Sequence, residues 1–208
     1  MGADLGHFPD NQDMIVHDDF RSELRGIDLD ALDGLPDVIY GLRSDLTIGM
    51  VSSSWASAAG SLRPAELPRG SVVDSLPGGL RVYYTQLYQG VLETGEPAEH
   101  LYLCPTPSHY RRFRMTCTPL QTGILVVHRL LEKRPHRLRA FRPNRSKYTA
   151  ADGFITMCAH CRQVQRSEDL AKWDWVPEWV RREPPKVTHG VCDPCMETYY
   201  SELSDAAG

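Results

Sequence analysis

The sequence predicts an α+β fold, in which a five-stranded antiparallel sheet with helices on one side is followed by a small four-cysteine module. Short runs with two-residue periodicity flank one long segment with helical periodicity, and two Cys-x-x-Cys pairs lie near the C-terminus. Apolar side chains alternate along a half-buried strand and recur every three to four residues along a helix. These two periods and the cysteine spacing are the basis of the prediction.

Composition limits the class of protein. The chain has 208 residues, of which 41% are hydrophobic and 24% charged, enough for one core and a smaller module. A net charge of -4 argues against a protein built mainly to coat nucleic acid. No apolar run approaches the roughly 18 residues that cross a bilayer, and the N-terminus lacks a signal-peptide pattern. We therefore expect a cytoplasmic protein without a membrane partner, where cysteines indicate metal binding or reactivity rather than disulfides.

Residues 1–33 form an acidic N-terminal segment. Phe20, Leu24 and Ile27 follow near-helical spacing after Asp18, which is a suitable helix cap, so a short amphipathic helix is predicted. Such a helix would pack on the next domain or on a second copy of the chain. A solvated, frayed terminus is the alternative.

The next segment predicts a hairpin and a long helix. Residues 38–42 and 47–51 indicate two strands, and residues 52–60 a tight helical connection. Apolar positions then recur at helical spacing, which predicts one helix with an apolar stripe. These positions are Leu80, Tyr83, Tyr84, Leu87, Tyr88, Val91 and Leu92.

Three further strands are predicted at residues 98–104, 110–118 and 124–131. In the second of them, Phe113, Met115 and Cys117 share one face, and arginine and threonine residues occupy the other. This alternation is typical of a half-buried antiparallel strand. The three strands complete the predicted five-stranded sheet.

The order of these elements resembles that of PAS sensor domains. The residues that carry the likeness are 37–40 (Asp-Val-Ile-Tyr), 50–59, 70–76, 111–115 and 123–127. The C-terminal Met-Cys-x-x-Cys and His-Gly-x-Cys-x-x-Cys motifs are similar to a module often appended to bacterial PAS, GAF or receiver domains. The resemblance implies a PAS-like sensor domain over residues 34–131, with a cavity for a small ligand of unknown identity, and a role in sensing or dimerisation.

Four cysteines form the predicted metal site: Cys158, Cys161, Cys192 and Cys195. Each pair lies on a tight turn and presents two sulfurs to one tetrahedral ion, for which zinc is the natural occupant. Thirty residues separate Cys161 from Cys192, more than the roughly 15–20 of a compact four-cysteine site, so they must form a structure of their own. His160 and His189 are candidate substitute or supporting ligands. Redox-active cysteine pairs are the alternative.

The predicted zinc-binding module covers residues 153–203, and residues 132–152 form a basic linker before it. The basic residues of this linker favour either a solvated connection or attraction for phosphates or an acidic partner. Trp173, Trp175 and Trp179 are predicted to form the core of the module, with a partner-binding patch as the alternative.

The expected function is non-enzymatic signal transduction. The phosphate-binding Gly-x-x-x-x-Gly-Lys, His-Glu-x-x-His and Gly-x-Ser-x-Gly motifs are missing, and four thiolates leave zinc no position for an activated water. We expect a PAS sensor or dimerisation domain coupled to a structural zinc module that contacts a protein partner or a second copy. The alternatives are a zinc-dependent nucleic-acid-binding transcriptional regulator and a thiol redox sensor.

Four other residues are weaker candidates. His100 or His109 can supply an axial nitrogen to haem, although a lone histidine on a strand is more often a core or surface residue. Cys104 and Cys117 are predicted to pack on the sheet, with a reactive thiol as the alternative.

Overall fold

The computed structural model describes residues 14–55, 70–76 and 78–199. The chain divides into two compact units by packing. Unit 1 comprises residues 1–76, 81–99 and 116–129, and unit 2 comprises residues 77–80, 100–115 and 130–208. The domain boundaries drawn from the sequence follow position along the chain and stay a prediction.

The described residues form strands, α-helices and two 3-10 helices. The strands are β1 Ile15–Val16, β2 Val38–Leu42, β3 Ile48–Val51, β4 Ala98–Leu103, β5 His109–Pro119, β6 Ile124–Pro135, β7 Ile155–Cys158, β8 Val164–Gln165, β9 Trp173–Asp174 and β10 Val187–Gly190. The helices are α1 Leu29–Asp33, α2 Gly78–Thr94, α3 Arg145–Tyr148, α4 Pro177–Arg181 and α5 Asp193–Tyr199, and the 3-10 helices are Asp18–Leu24 and Val72–Ser75.

The larger sheet is antiparallel and has six strands in the order β1-β3-β2-β6-β5-β4. Strand β2 lies between β3 and β6, with Tyr40 opposite Val126 of β6 and Val51 of β3. The five predicted strands are all present. The sixth, β1, pairs Ile15 with Val51 at the edge of the sheet, so the N-terminal segment is not frayed from residue 14 onward.

Helical segments cover both faces of this sheet, so the prediction of helices on one side is wrong. On one face, the Tyr40 hydroxyl lies 3.0 Å from the hydroxyl of Tyr88 in α2. On the other, Ile39 and Met50 form a buried cluster with Phe20 and Leu24 of the first 3-10 helix. Successive strand residues point to opposite faces, which is why Tyr40 and Ile39 contact different helices.

Three glycines open a slot in the sheet for the Phe20 ring. A Cβ added at Gly49 would lie 2.5 Å from Phe20 Cγ, and one added at Gly41 would overlap the ring. A Cβ at Gly123 would meet the Leu42 carbonyl oxygen and the ring. The predicted N-terminal helix is found in part, as a 3-10 helix that carries Phe20 and Leu24 and ends before Ile27. Asp18 lies in its first turn, and His17 occupies the cap.

The longer predicted elements agree with the structure. Helix α2 spans the predicted stripe and ends before Gly95, whose φ of +68° suits glycine. In β5, Met115 and Cys117 are buried, whereas Arg112 and Arg114 are exposed. Strand β6 continues to Pro135, so residues 132–135 belong to a strand rather than to a linker. Most of the predicted connection at residues 52–60 lies outside the described residues.

Unit 2 contains a second sheet with the order β10-β7-β8-β9. Its core is a cluster of buried side chains: Tyr148, Ile155, Met157, Val164, Val176 and Trp179. The residues between the cysteine pairs supply β8, β9, α4 and β10, so they form a structure of their own, as predicted. Trp175 and Trp179 are buried, in agreement with the core interpretation, and Trp173 is half-buried.

A buried carboxylate fixes part of the predicted linker into this unit. Asp174 accepts hydrogen bonds from Lys147 Nζ at 2.6 Å, from the Tyr148 hydroxyl at 2.8 Å and from two nitrogens of Arg166 at 2.9 Å. The side chain of Asp174 is 4% exposed. Lys147 and Tyr148 are therefore fixed in this unit, whereas Arg145 and Ser146 are exposed. A solvated connection, one of the two interpretations of the sequence, does not describe Lys147 and Tyr148.

Candidate metal centre

Two parallel strands deliver the cysteine pairs to one place. Strands β7 and β10 pair in parallel with Gly190 opposite Cys158, which is the last residue of β7. Parallel strands present their carboxyl ends at the same edge of a sheet, so the segments that follow them leave side by side. Cys161 and Cys192 come from these two segments.

Each segment turns sharply by backbone hydrogen bonds. After β7, the Ala159 amide donates to the Gly190 carbonyl at 2.8 Å, and the Arg162 amide donates to the Cys158 carbonyl at 3.1 Å. Arg162 has a φ of +62°, which closes the turn. After β10, the Cys195 amide donates to the Cys192 carbonyl at 2.9 Å in the first turn of α5. Both turns bring the two sulfurs of a pair onto one side.

The four sulfurs form one group. All of them lie within 4.8 Å of one another, and Cys161 Sγ is 3.6 Å from Cys192 Sγ. A zinc ion with four sulfurs at about 2.3 Å holds each pair of sulfurs about 3.8 Å apart. Cys158, Cys192 and Cys195 are at most 5% exposed, and Cys161 is half-buried. The donor set and its spacing therefore fit a tetrahedral metal ion.

Two N–H groups point at these sulfurs. The Cys192 amide lies 3.5 Å from Cys158 Sγ, and Gln163 Nε2 lies 3.3 Å from Cys161 Sγ. Donors of this kind favour the thiolate form and orient the ligand. Gln163 is not among the residues that the sequence predicts at the site. Its only local sign is a position two residues after Cys161.

The thiols influence one another strongly. Hydrogen bonds from Cys161 and then from Cys192 and Cys195 lower the pKa of Cys158. Hydrogen bonding to Cys158 and then to Cys161 and Cys192 raises the pKa of Cys195. One sulfur thus holds negative charge while another retains its proton. A divalent cation reverses that preference because it binds four thiolates at once.

Neither candidate histidine belongs to the four-sulfur group. His160 is buried, and its ring centroid lies 6.2 Å from that of His100. His189 Nε2 lies 3.1 Å from Arg162 Nη1 and 3.5 Å from Glu183 Oε1, and Arg162 also forms an ion pair with Glu183. The structure brings the four predicted cysteines together and places the histidines beside them.

Three partly buried hydrophobic side chains pack against the cysteine cluster: Leu103, Trp173 and Val191. Leu103 belongs to β4, far from either cysteine pair in the sequence. No spacing rule connects it to the cysteines, so only the folded chain reveals this contact.

The weaker candidates lie apart from the cluster. Burial raises the pKa of Cys117 to about 12, which agrees with its predicted packing role. Cys104 is exposed, so the packing prediction is wrong there, and its sulfur lies 3.4 Å from Arg111 Nη2. His109 Nδ1 lies 2.9 Å from the Ser108 hydroxyl, and the His100 ring stacks on Tyr102 with centroids 6.2 Å apart. The haem hypothesis stays untested.

Within the described ranges, no helix has both the length and the apolar character that a membrane span requires.

Comparison with known proteins gives distant structural likeness. No protein-family model matches the chain, and no curated protein sequence matches it. One similar solved structure is the Vibrio cholerae VqmA dimer, from a study of DNA binding by LuxR-type receptors. Its chain is 17% identical to this one, with a TM-score of 0.43. That match covers 50% of this chain and 49% of the VqmA chain, so this chain spans about half of VqmA.

A domain of an HTR-like protein from Haloarcula marismortui is also 17% identical, with a TM-score of 0.39. The match covers 47% of this chain and all of that domain, at 100%. Likeness at this level identifies neither a family nor a function.

Proposed function

We propose that this chain is a non-enzymatic regulatory protein, in which a structural zinc ion holds unit 2 together and a PAS-like sensor or dimerisation domain occupies most of unit 1. The observation that carries the proposal is the group of four cysteine sulfurs within 4.8 Å of one another, three of them on buried residues and one on a half-buried residue. Thiolates suit zinc, and four of them fill its tetrahedral shell. A closed shell gives the metal a structural role.

The zinc ion would fasten three elements at once. Cys158 ends β7, Cys192 follows β10, and Cys195 lies in α5. The residues between the pairs form two strands of two residues, a strand of four and a helix of five, which are too short to hold a position without additional anchors. Metal binding supplies that anchor in small domains.

The sensor part of the proposal rests on the sequence resemblance and on the order of elements. A hairpin, a short 3-10 helix, a long helix and three strands follow one another in the resembled order. Between α2 and the sheet, the Tyr40 hydroxyl contacts the Tyr88 hydroxyl at 3.0 Å and His128 Nε2 at 3.1 Å. A small ligand in that layer would meet these polar atoms and bias the position of α2. The partner would be another protein or a second copy.

Metal content tests the proposal directly. Protein purified without added metal is analysed for its elements and by absorption spectroscopy, and wild type is compared with Cys158→Ser and Cys192→Ser. We expect one zinc per chain, lost in both variants. Cys104→Ser, which changes an exposed cysteine outside the cluster, is the matched control and should keep the metal.

One contrary result is a purified wild-type protein that contains no metal and has its four cluster cysteines oxidised to disulfides, as measured by thiol titration before and after reduction. That result would contradict the zinc proposal and favour the redox-sensor alternative. If the absorption spectrum is that of iron bound to thiolates, the metal in the proposal is iron instead of zinc, and its structural role is unchanged.

A further inference from the structure

A groove in unit 2 ends at the metal centre. Its cavity volume is about 590 Å³, within the usual range of binding sites. Leu103, Pro105 and Leu138 supply apolar surface, Arg134 and Arg137 supply charge, and Cys161 forms part of the wall. We infer that this Cys161 groove docks an acidic peptide segment of a partner protein. The inference rests on the proposed function in one respect, because the proposed zinc ion fixes Cys161, which forms part of the groove wall.

The charge of the groove favours an anionic occupant. Arg137 is exposed, and no acceptor in the described part of the chain is within hydrogen-bonding distance of its guanidinium. Arg134 donates through Nε to Glu132 at 2.8 Å, which leaves its terminal nitrogens for a ligand carboxylate. Unit 2 has sixteen Lys and Arg residues and eleven Asp and Glu residues, a net charge of +5, whereas the whole chain carries -4. The local excess of positive charge therefore favours acidic segments at the surface of this unit.

The apolar part of the groove favours a peptide with a hydrophobic anchor. Leu138 is 45% exposed, although it is a large aliphatic side chain beside Leu103 and Pro105. An apolar side chain of a partner would bury this surface, and a neighbouring carboxylate would meet Arg137. Anchors of this kind contribute most of the affinity in small interfaces.

The same groove is poorly suited to nucleic acid. The Arg134 guanidinium lies 4.1 Å from the centroid of the Tyr110 ring, so a cation already covers the face on which a base would stack. Glu132 in the lining is paired with Arg134 and repels a carboxylate as well as a phosphate, so it does not discriminate between the two ligands. The cation on the Tyr110 ring favours an acidic peptide over a single strand of RNA or DNA.

The test uses the full-length, zinc-loaded protein and a random peptide library displayed on phage. We expect the enriched peptides to be acidic, with an apolar residue next to a carboxylate. A neutral or basic consensus would overturn the inference. Free succinate, which offers carboxylates without an apolar anchor, should not compete with the enriched peptide; if it competes equally well, the peptide assignment is wrong.

Variants then locate the binding site by fluorescence polarisation with the enriched peptide. Arg137→Glu should weaken binding about tenfold or more, and Leu138→Ser should weaken it several-fold. Arg139→Glu makes the same charge change two residues away, outside the groove lining, and should stay within about twofold of wild type. Equal effects of Arg137→Glu and Arg139→Glu would overturn the location.

Zinc content is measured on each variant. Zinc missing from the wild-type protein counts against the proposed function, whereas zinc-loaded protein that selects no acidic peptide counts against the groove alone.

Discussion

Phe20 anchors the N-terminal segment through shape. Its ring is 1% exposed and fills the slot formed by Gly41, Gly49 and Gly123. Phe20→Ala leaves a cavity that these glycines cannot fill, so we expect the free energy of unfolding to fall by about 3–5 kcal/mol. Urea unfolding followed by circular dichroism measures the change.

Arg21→Ala is the matched control for that experiment, because it lies on the same 3-10 helix with an exposed side chain and a surface ion pair to Asp18. Its unfolding midpoint should equal that of wild type. If Phe20→Ala is as stable as Arg21→Ala, the slot does not hold the segment.

His100 introduces a pH dependence into stability. Burial, and then the charge of His160, lower the pKa of His100 to about 4 from an ordinary value of 6.5. Between these two values the unfolded chain binds the proton and the folded chain does not. The contribution is therefore fully present above pH 6.5 and declines as the pH falls toward 4.

We expect His100→Gln to remove this dependence. The difference in unfolding free energy between wild type and variant should change by about 2 kcal/mol between pH 7 and pH 5, with wild type losing stability. Both proteins are unfolded in urea with excess zinc, so any acid release of metal is common to both. Parallel pH profiles for the two proteins would show that His100 does not stay neutral in the folded chain.

At the scale of elements, Asp174 connects the short helix α3 to strand β9. Burial alone would raise the pKa of Asp174. Hydrogen bonds from Arg166, Lys147 and Tyr148 outweigh burial and hold this pKa at about 2. Asp174→Asn removes the negative charge between the two partly exposed cations Lys147 and Arg166. We therefore expect the free energy of unfolding to fall by about 1–3 kcal/mol. Thermal unfolding followed by tryptophan fluorescence reports it.

The pH dependence separates this effect from that of His100. A depressed carboxyl pKa contributes stability above its unfolded value of 3.8 and loses it as the pH falls toward 2. The gap between wild type and Asp174→Asn should therefore be constant from pH 7 to pH 5. Asp169→Asn, which removes the charge of the exposed pair with Lys172, should leave the transition almost unchanged.

The elements that the sequence predicted are those with local periodicity. Helix α2 and strand β5 repeat their apolar positions over many residues, so their burial is visible in the sequence. Strand β1 has two residues and no period, and it exists because Ile15 and Val16 pair with β3. The Phe20 slot depends on glycines of β2, of β3 and of the turn before β6, which are adjacent only after folding.

The same distinction applies to the metal centre. The two cysteine pairs are local motifs and were predicted as one group. Their meeting depends on the parallel pairing of β7 with β10, and no local pattern encodes that pairing. Leu103 reaches the cluster only through the fold, whereas Gln163 lies two residues after Cys161 at a position that no metal-ligand spacing singles out.

At the scale of the whole molecule, the two units should respond differently to loss of metal. Unit 2 contains the four cysteines and three of the four tryptophans, Trp173, Trp175 and Trp179. Unit 1 has a separate buried core that includes Phe20, Ile39 and Met50. Tryptophan fluorescence therefore reports mainly on unit 2. The unfolding transition of unit 1 can be identified because the Phe20→Ala substitution lowers it.

Chelation of zinc should unfold unit 2 and leave unit 1 folded. Structural zinc contributes about 10–16 kcal/mol in zinc-finger peptides, which exceeds the stability of a small module. We expect the tryptophan emission to shift to longer wavelength on chelation and to recover when zinc is restored. Cys158→Ser should show the shifted emission from the start.

The chelated protein should retain one unfolding transition, and Phe20→Ala should still lower its midpoint, because that transition belongs to unit 1. If chelation abolishes every cooperative transition, the metal supports both units rather than one.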